Sequence, residues 1–283
     1  MVRRRGWMLG AASCLTAACG GRLHEHLPSA VMPRAGLLRV MTLNLAHGRG
    51  RAPLQTFAMP ASFFTDNLDM IARVIRRESP HVVALQEAEL GSPWAGNFNH
   101  VRYLALRSGL PYFASTAHMN VPGRYRYGTA LISRIPLDDQ GGATFDAQHP
   151  RWRKGYTWAR FAMPGAGPIC LFSVHLDYRL HATRVAQAKE LQTAMGVMDV
   201  PVLLAGDFNA NGRAAIDPID TLTRGGLDPA CTWSPPPTNE KGTNTIDWVL
   251  TSRAFECRSL TTRDDPTTDH RAVIAELALP PRT

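Results

Sequence analysis

Side chains that bind metal ions or transfer protons stand at the ends of several apolar stretches of this sequence. Carboxylates, amides and imidazoles cost free energy when they are buried singly, because each one loses its hydration. Their repetition at strand ends therefore indicates that they converge on one polar site. In chain order the residues are Asn44, Glu87, His175, Asp207, Asn209, Asp247, Asp269 and His270.

The chemistry of this set favours a hard divalent cation. Oxygen is the only ligand type offered by Asn44, Glu87, Asp207, Asn209 and Asp269. Such ligands suit Mg²⁺ or Mn²⁺ better than zinc. The two histidines are then available for proton transfer and for contact with an anionic group. Each motif alone also fits a solvated strand end, a turn or a structural histidine, so the prediction depends on the ordered set.

These residues need a scaffold, and the hydrophobic pattern predicts one that is rich in strands. Strands are predicted at residues 38–44, 82–85, 112–117, 128–133, 157–163, 169–176, 202–205, 245–250, 255–261 and 271–277. Helices are predicted after a cap at residues 65–67, and over residues 100–110, 182–195 and 216–222. The strands come in hairpin-like pairs as well as helix-linked pairs. This mixture favours a mixed sandwich with outer helices over a purely parallel sheet.

Six short motifs hold the polar residues. They are Thr42-Leu43-Asn44, Val83-Ala84-Leu85-Gln86-Glu87, Ser173-Val174-His175-Leu176, Gly206-Asp207-Phe208-Asn209-Ala210, Ile246-Asp247-Trp248-Val249 and Thr268-Asp269-His270. In this order they resemble the endonuclease/exonuclease/phosphatase superfamily, over residues 38–279. The resemblance implies an α/β (α+β) fold, a four-layer αββα sandwich of two mixed β-sheets flanked by helices. The site is then expected at one end of the two sheets.

The resemblance also implies a metal-dependent hydrolase, in which an activated water attacks a phosphodiester or phosphomonoester in line. Glu87 is implied as the principal metal ligand, with Asn44 and Asp269 close to the ion. Asp207 is implied to orient or deprotonate the attacking water, and Asn209 to contact the phosphate or a second metal.

Two histidines complete the implied machinery. Asp247 is implied to orient the cationic form of His270, which touches the scissile phosphate. His175 is implied to stabilise the transition state or to assist the leaving group. Residues near the motifs are candidates for substrate contact, namely His47, Arg126 and Tyr127. Other loop cations, such as Arg124 and Lys154, fit a substrate groove and a solvated surface equally well.

The sequence leaves the substrate open. AP endonucleases generally carry Tyr-x-Pro-Asn where this chain has Phe172-Ser173-Val174-His175, so a role in DNA repair is not expected. The main prediction is a nuclease-like phosphodiesterase, and the alternative is a phospholipid, sphingomyelin or inositol-phosphate esterase. A non-catalytic phosphate-binding protein on the same fold predicts loss of Glu87, Asp207 or His270, and all three are present.

The N-terminus is typical of an export signal. Arg3, Arg4 and Arg5 precede an apolar run that ends at Cys19 and is too short to span a membrane as a mature helix. Leu15-Thr16-Ala17-Ala18-Cys19 resembles a lipobox, which predicts lipidation of Cys19 and a membrane anchor. The alternative is ordinary cleavage after one of the alanines.

We therefore expect an export signal over residues 1–19, a tether over residues 20–36 and a catalytic domain over residues 37–283. The protein is expected to be a monomer, either anchored in the cell envelope or secreted. Removing the three signal arginines lowers the formal net charge from +8 to +5, which is compatible with an anionic partner. Cys170 is predicted to be a buried thiol, whereas Cys231 and Cys257 pair only if the compartment is oxidising.

Overall fold

The computed structural model describes residues 19–22, 36–52, 57, 59–147, 152–214, 216–231 and 234–279. Most of the predicted export signal and most of the predicted tether lie outside the described residues. Within the described part, no helix combines the length and the apolar character that crossing a membrane requires. Lipidation of Cys19 stays a prediction.

Two β-sheets form the interior of the described structure. The first sheet has the spatial order β1 (Cys19–Arg22), β4 (Tyr112–Val121), β5 (Tyr125–Ser133), β3 (Val82–Glu89), β2 (Leu37–Asn44), β13 (Ala272–Ala278), β12 (Glu256–Arg263). The second has the order β10 (Leu227–Pro229), β11 (Asp247–Ser252), β9 (Val202–Asp207), β8 (Pro168–His175), β7 (Gly155–Ala162), β6 (Asp139–Thr144). Both are mixed, because β2 pairs with β3 and β8 pairs with β9 in parallel, while their other neighbours are antiparallel.

Helices cover the outer faces of both sheets. The first sheet is covered by α1 (Ala61–Glu78) and α2 (His100–Ser108), and the second by α3 (His181–Gly196) and α4 (Pro218–Arg224). A third apolar cluster fills the space between the sheets. The four-layer αββα sandwich expected from the motifs is therefore confirmed.

Strand alternation decides which side chains face the space between the sheets. Leu38 and Val40 of β2 lie in the inter-sheet core, whereas Met41 and Leu43 pack against the helices. Because side chains alternate with a period of two, the inward row of β2 ends in Asn44. The inward rows of β8, β9 and β11 reach the same end of the sandwich in His175, Asp207 and Asp247.

Some predictions about the elements are wrong. Helix α1 begins at Ala61, ahead of the predicted cap at residues 65–67, and Pro60 is its N-cap residue. The amide of Asn67 instead donates to the carbonyl of Gly48 at 3.0 Å, which ties the helix to the loop after β2. Strand β6, with the sequence DQGGAT, and the three-residue β10 lack the alternation that predicts strands. Residues 20–22 of the predicted tether pair with β4 as part of β1.

Cys231 and Cys257 form a disulfide, which the sequence left open. Their Cα atoms are 5.1 Å apart, within the usual range for this bond. Cys231 follows β10 in the second sheet and Cys257 lies on β12 of the first, so the bond joins the two sheets at one edge. Cys170 is a buried free thiol, as predicted.

Two buried histidines make the fold sensitive to acid. His100 donates from Nε2 to the carbonyl of Ala95 at 2.9 Å, and burial lowers its pKa to about 4. Burial also lowers the pKa of His118 to about 3. Both rings are neutral in the folded chain, whereas in the unfolded chain they bind protons below about pH 6.5. The stability that depends on this difference is present above that pH and is lost as the pH falls towards 4.

We expect the free energy of unfolding to fall by roughly 2–3 kcal/mol per histidine when the pH is lowered from about 7 to about 4. Urea denaturation across this range measures the effect. His100→Gln keeps a donor for the Ala95 carbonyl but cannot titrate, so it should lose less stability than the wild type. His181→Gln, at an exposed histidine, is the matched control. Identical pH dependence of His100→Gln and the wild type would contradict the prediction.

Candidate active site

A cavity of about 660 Å³ lies at the end of the sandwich where the polar strand ends meet. The sequence-predicted residues that line it are Asn44, His47, Glu87, Tyr127, His175, Asp207, Asn209, Asp269 and His270. Asp247 lies behind His270 and is hydrogen-bonded to it. The structure thus brings together residues that are more than two hundred positions apart in the chain, such as Asn44 and His270.

Arg126 is not part of this cavity. It lies on β5 between Tyr125 and Tyr127, which both line the cavity. Because neighbouring residues of a strand point to opposite faces, the Arg126 side chain turns away, and its Nη1 donates to the carbonyl of Leu90 at 3.3 Å. The structure therefore does not bring Arg126 together with the other predicted site residues, and its contact with substrate stays a prediction. Arg124, just before the strand, lines the cavity instead.

Asp207 lies at the centre of the site. It is the last residue of β9, in register with His175 of β8 on one side and Asp247 of β11 on the other. From the opposite sheet, Asn44 Nδ2 donates to Oδ2 of Asp207 at 3.1 Å. Nε2 of His175 lies 3.3 Å from the same oxygen. Both sheets therefore fix the position of this carboxylate.

The Asp207 carboxylate is ionised although it is buried. Burial opposes ionisation, but the neighbouring imidazoles of His175 and His270, together with the hydrogen bond from His175, outweigh it and hold the pKa of Asp207 below its usual range. The backbone N–H of Asn209 also donates to Oδ1 of Asp207 at 2.9 Å. A charged carboxylate at a cavity wall can accept a hydrogen bond and then a proton from a water molecule.

His270 and Asp247 form a buried acid–imidazole pair. Nδ1 of His270 lies 2.9 Å from Oδ2 of Asp247. Burial acts to lower the pKa of His270, but Asp247 and Asp207 outweigh it and raise the pKa above its usual range. The ring is therefore a cation, and its Nε2 lies on the cavity side, 3.8 Å from Asp207. This cation is placed to contact an anionic oxygen of a ligand.

His175 is the neutral histidine of the site. Burial and the charge of Lys154 lower its pKa, although Asp207 acts in the opposite direction. Lys154 is itself nearly buried, and its Nζ lies 2.9 Å from Nε2 of His175 and 3.6 Å from Oε1 of Glu87. From the sequence alone, Lys154 could line a substrate groove or lie on the solvated surface. The structure places it inside the site.

Glu87 turns into the cavity at an irregularity of β3. The register of β3 against β5 shifts between Leu85 and Ala88, and Glu87 has a left-handed φ of 48°. Burial opposes its ionisation, but the charges of His47 and Lys154 outweigh it and lower the pKa of Glu87 to about 2. Glu87 is therefore an ionised oxygen ligand facing the cavity.

The donor set fits a divalent cation. Burial raises the pKa of Asp269, and the negative charge of Glu87 adds to the rise even though His270 opposes it. Carboxylates that repel each other in one cavity are stabilised when a cation binds to them. Their oxygen ligands, together with the amide oxygen of Asn44, are those that Mg²⁺ or Mn²⁺ prefers.

A second set of ligand atoms belongs to Asp207, Asp247 and His270, and these atoms lie within 4.8 Å of one another. A cation in that position competes with the hydrogen bond between His270 and Asp247. It also requires a neutral imidazole, because a protonated ring has no lone pair to offer. The charge of His270 therefore favours the Glu87 side of the cavity for the metal.

The backbone is strained where the site is built. Left-handed φ values occur at Ala46 (45°), His47 (55°), Glu87 (48°) and Asn209 (49°). Each such non-glycine conformation costs roughly 1–2 kcal/mol. Strain of this kind persists where the surroundings impose it, most often at functional sites. Four of the seven non-glycine residues with a positive φ in the described part of the chain lie in or beside this cavity, which supports the assignment of the site independently of charge.

Glu89 and His47 form a second acid–imidazole pair that the sequence did not predict. Glu89 is fully buried, and its Oε1 lies 2.6 Å from Nδ1 of His47. Nε2 of His47 lies 3.4 Å from Oε2 of Glu87. Burial acts to lower the pKa of His47, but Glu87 and Glu89 outweigh it and raise the pKa. His47, predicted to contact substrate, thus joins two carboxylates at the cavity wall.

Aromatic side chains form much of the remaining wall, and the sequence did not identify them. They are Trp94, Tyr125, Trp152 and Tyr178, which line the cavity with the predicted Tyr127. Most of them lie in loops or at the start of a strand, where no hydrophobic period exists to signal a shared surface. Only the folded arrangement shows that they meet.

An αββα sandwich that carries acidic and histidine side chains at one end of its two sheets is typical of metal-dependent phosphoesterases. A sequence model described as "Endonuclease/Exonuclease/phosphatase family" matches residues 41–270 of the chain. The chain therefore belongs to the endonuclease/exonuclease/phosphatase family, as its motifs indicated.

Solved structures share the fold. An endonuclease/exonuclease/phosphatase from Beutenbergia cavernae DSM 12333 is 22% identical, with a TM-score of 0.67 over 86% of this chain and 72% of that chain. A mannosyl-6-phosphatase from Bacteroides thetaiotaomicron VPI-5482 is 14% identical, with a TM-score of 0.62 over 86% and 100%. The catalytic domain of human Nocturnin with a bound sulfate anion is 18% identical, with a TM-score of 0.63 over 93% and 97%. The sequence has no match among curated proteins.

Proposed function

We propose that this protein is a metal-dependent hydrolase that cleaves phosphate esters by in-line attack of a water molecule. The observation that carries the proposal is the convergence of the ionised Asp207, the cationic His270 and the ionised Glu87 on one cavity. Water attack at phosphorus needs a group that positions the water, positive charge at the phosphoryl oxygens and stabilisation of the leaving oxygen. The cavity offers a side chain for each need.

The protein side chains divide this work. Asp207 accepts a hydrogen bond from the attacking water and then its proton. His270, oriented by Asp247, donates from Nε2 to a phosphoryl oxygen. His175, neutral beside Lys154, stabilises the leaving oxygen. These roles follow the resemblance, and the distances between the groups are compatible with them.

Asn44 and Asn209 position the reacting groups. The Asn44 side chain accepts from the backbone N–H of Ala46 at 3.0 Å and donates to Asp207, so it fixes that carboxylate. The Nδ2 of Asn209 donates to the carbonyl of Leu176 at 3.1 Å, which holds the side chain at the cavity edge for contact with a phosphate.

Glu87, with Asn44 and Asp269, would hold the divalent cation, Mg²⁺ or Mn²⁺. When bound, such a cation supplies Lewis-acid charge at the phosphoryl oxygens. His270 adds its positive charge from another side of the same cavity.

The ester class is supported by the fold's other members. One neighbour is a mannosyl-6-phosphatase, and another has a sulfate anion bound. We propose a nuclease-like phosphodiesterase or a phosphomonoesterase, with a phospholipid or inositol-phosphate esterase as the alternative. A non-catalytic phosphate-binding protein is disfavoured, because Glu87, Asp207 and His270 are all present and converge.

A substrate panel tests the proposal. Plasmid DNA, RNA, sphingomyelin, phosphatidylinositol, bis-p-nitrophenyl phosphate and simple phosphomonoesters are each incubated with Mg²⁺, with Mn²⁺ and with EDTA. Metal-dependent turnover of at least one ester is expected, with none in EDTA. Absence of turnover with either metal, or equal turnover in EDTA, would contradict the proposed function.

We further propose that the protein is exported and is anchored through a lipid on Cys19. The disulfide between Cys231 and Cys257 supports export, because such bonds persist in oxidising compartments. Cys19→Ala should move the protein from the membrane fraction to the soluble fraction. Membrane retention of Cys19→Ala would contradict the anchor, and recovery of a reduced cytoplasmic protein would contradict export.

A further inference from the structure

We infer that the cavity selects phosphate esters whose organic group is a small planar ring, as in a nucleotide, and discriminates against quaternary ammonium head groups such as choline. The inference rests on the proposed function only in taking phosphate as the group held beside His270. It concerns the other end of the substrate, and it depends on the aromatic wall of the cavity.

The aromatic residues reach the cavity from both sheets. Trp94, Tyr125 and Tyr127 belong to segments of the first sheet, with Trp94 and Tyr125 ring centroids 5.4 Å apart in an edge-to-face contact. Trp152 and Tyr178 flank β7 and β8 of the second sheet. A ring that enters the cavity therefore meets aromatic surface from two directions.

Trp152 and Tyr178 are unusually open for side chains that line a cavity. Trp152 is 44% exposed and Tyr178 is 52% exposed. Large aromatic side chains gain free energy when their faces are covered. Single exposed aromatics are common on protein surfaces, but two of them at one cavity offer an apolar surface that a ligand can bury.

The same wall is a poor site for a cationic head group, although aromatic rings often bind such groups. Three of the rings already have a protein cation close by. The guanidinium of Arg49 lies 4.3 Å from the Trp94 ring centroid, and that of Arg124 lies 5.0 Å from the Tyr125 centroid.

The third cation is Lys154, whose Nζ lies 6.0 Å from the Tyr178 centroid. A choline group would meet repulsion from these charges as well as attraction from the rings. The phosphate of either substrate is attracted by these cations, but a neutral planar ring is not repelled by them as a quaternary ammonium group is. The positive charges at the wall therefore separate the two kinds of substrate.

The size of the cavity is suited to a small organic group and its phosphate. A volume of about 660 Å³ is in the range of small-molecule sites. It accommodates a single ring with its phosphate, together with the groups that act on the phosphate. A mononucleotide, or a single nucleotide of a longer strand, matches this volume.

Binding measurements in EDTA, where no turnover is expected, test the inference without using activity. The probes are adenosine 5′-phosphate, ribose 5-phosphate, which lacks only the base, and phosphocholine, and calorimetry gives each Kd. We expect adenosine 5′-phosphate to bind about tenfold more tightly than either of the others. Equal affinity for the first two probes, tighter binding of phosphocholine, or no detectable binding of adenosine 5′-phosphate would overturn the inference.

Variants of the aromatic residues test whether the tighter binding of adenosine 5′-phosphate depends on the aromatic wall of the cavity. Trp152→Ala and Tyr178→Ala should each weaken binding of adenosine 5′-phosphate several-fold while the Kd for ribose 5-phosphate stays unchanged. Val197→Ala, at a 75% exposed residue after α3, is the control and should match the wild type. Unchanged binding of adenosine 5′-phosphate to both aromatic variants would overturn the inference.

The outcomes also separate this inference from the proposed function. Selective binding of adenosine 5′-phosphate without hydrolysis of any ester would support the ring-binding wall and contradict the hydrolase. Metal-dependent hydrolysis without any advantage from the ring would support the hydrolase and contradict the ring-binding wall. 2-Naphthyl phosphate, as a further probe, shows whether any planar ring is accepted or only a nucleobase.

Discussion

Replacing His270 with alanine is expected to lower kcat/KM by about 10²–10⁴-fold on any ester that the protein hydrolyses. The imidazole is held by Asp247 at 2.9 Å and is charged at the cavity wall, so its removal takes away both a donor and a positive charge. Steady-state kinetics at saturating Mg²⁺ or Mn²⁺ measure the loss. Full activity of His270→Ala would contradict the role given to this residue.

Asp247, the hydrogen-bond partner of His270, provides a second test of the role given to this histidine. Asp247 is buried behind His270 and does not line the cavity, so it should act only through the imidazole. Asp247→Ala should lower kcat/KM, but the double variant with His270→Ala should be no worse than His270→Ala alone. Additive losses would show that Asp247 acts independently. Asp264→Ala, at an exposed acid paired with Arg51 and Arg271, is the control with expected wild-type activity.

The sequence predicted the strands of the sandwich well, because their apolar rows have a clear period of two. It failed where an element has no such row. Strand β6 is DQGGAT and pairs with β7 through its backbone, so its side chains carried no signal. The start of α1 was misplaced because Asn67 resembles a capping residue, whereas its amide holds the loop at Gly48.

The sequence predicts those site residues that stand at the end of a strand's inward-facing row of side chains. Asn44, His175 and Asp207 follow directly from alternation along their strands. Arg126 does not join them for the same physical reason, because it alternates with Tyr125 and Tyr127 and faces away from the cavity. The aromatic wall and Lys154 depend on how loops from both sheets meet, which no local pattern records.

Glu89 is the residue that sequence reasoning missed with the largest consequence. Its only signal was a second glutamate soon after Glu87 at the end of a buried strand. In the folded protein it is fully buried, and no hydrogen-bond partner for its Oε2 is found among the described residues. His47 at 2.6 Å is the side chain that bonds to its Oε1. The histidine therefore supplies a hydrogen-bond partner to a buried side chain as well as contacting Glu87.

Replacing His47 with alanine should consequently destabilise the fold, and by more than the loss of a surface histidine does. The variant leaves the Glu89 carboxylate buried without its partner, which typically costs about 3–5 kcal/mol. Urea denaturation at neutral pH gives the free energy of unfolding. His181→Ala, the same deletion at an exposed histidine, is the control and should change it little. An unchanged free energy of unfolding in His47→Ala would contradict the role of the pair.

The double variant of His47→Ala with Glu89→Gln separates stability from function. The neutral amide of glutamine tolerates burial better than a carboxylate, so the double variant should recover a large part of the lost stability. It still lacks the imidazole that lies 3.4 Å from Glu87, so the Glu87 carboxylate keeps Lys154 but not the side chain on its other side. We expect the affinity for Mn²⁺, measured by calorimetry, to stay below that of the wild type even though the fold is restored. Recovery of both stability and Mn²⁺ affinity would show that His47 serves only the fold, because the metal ligands would then be held without it.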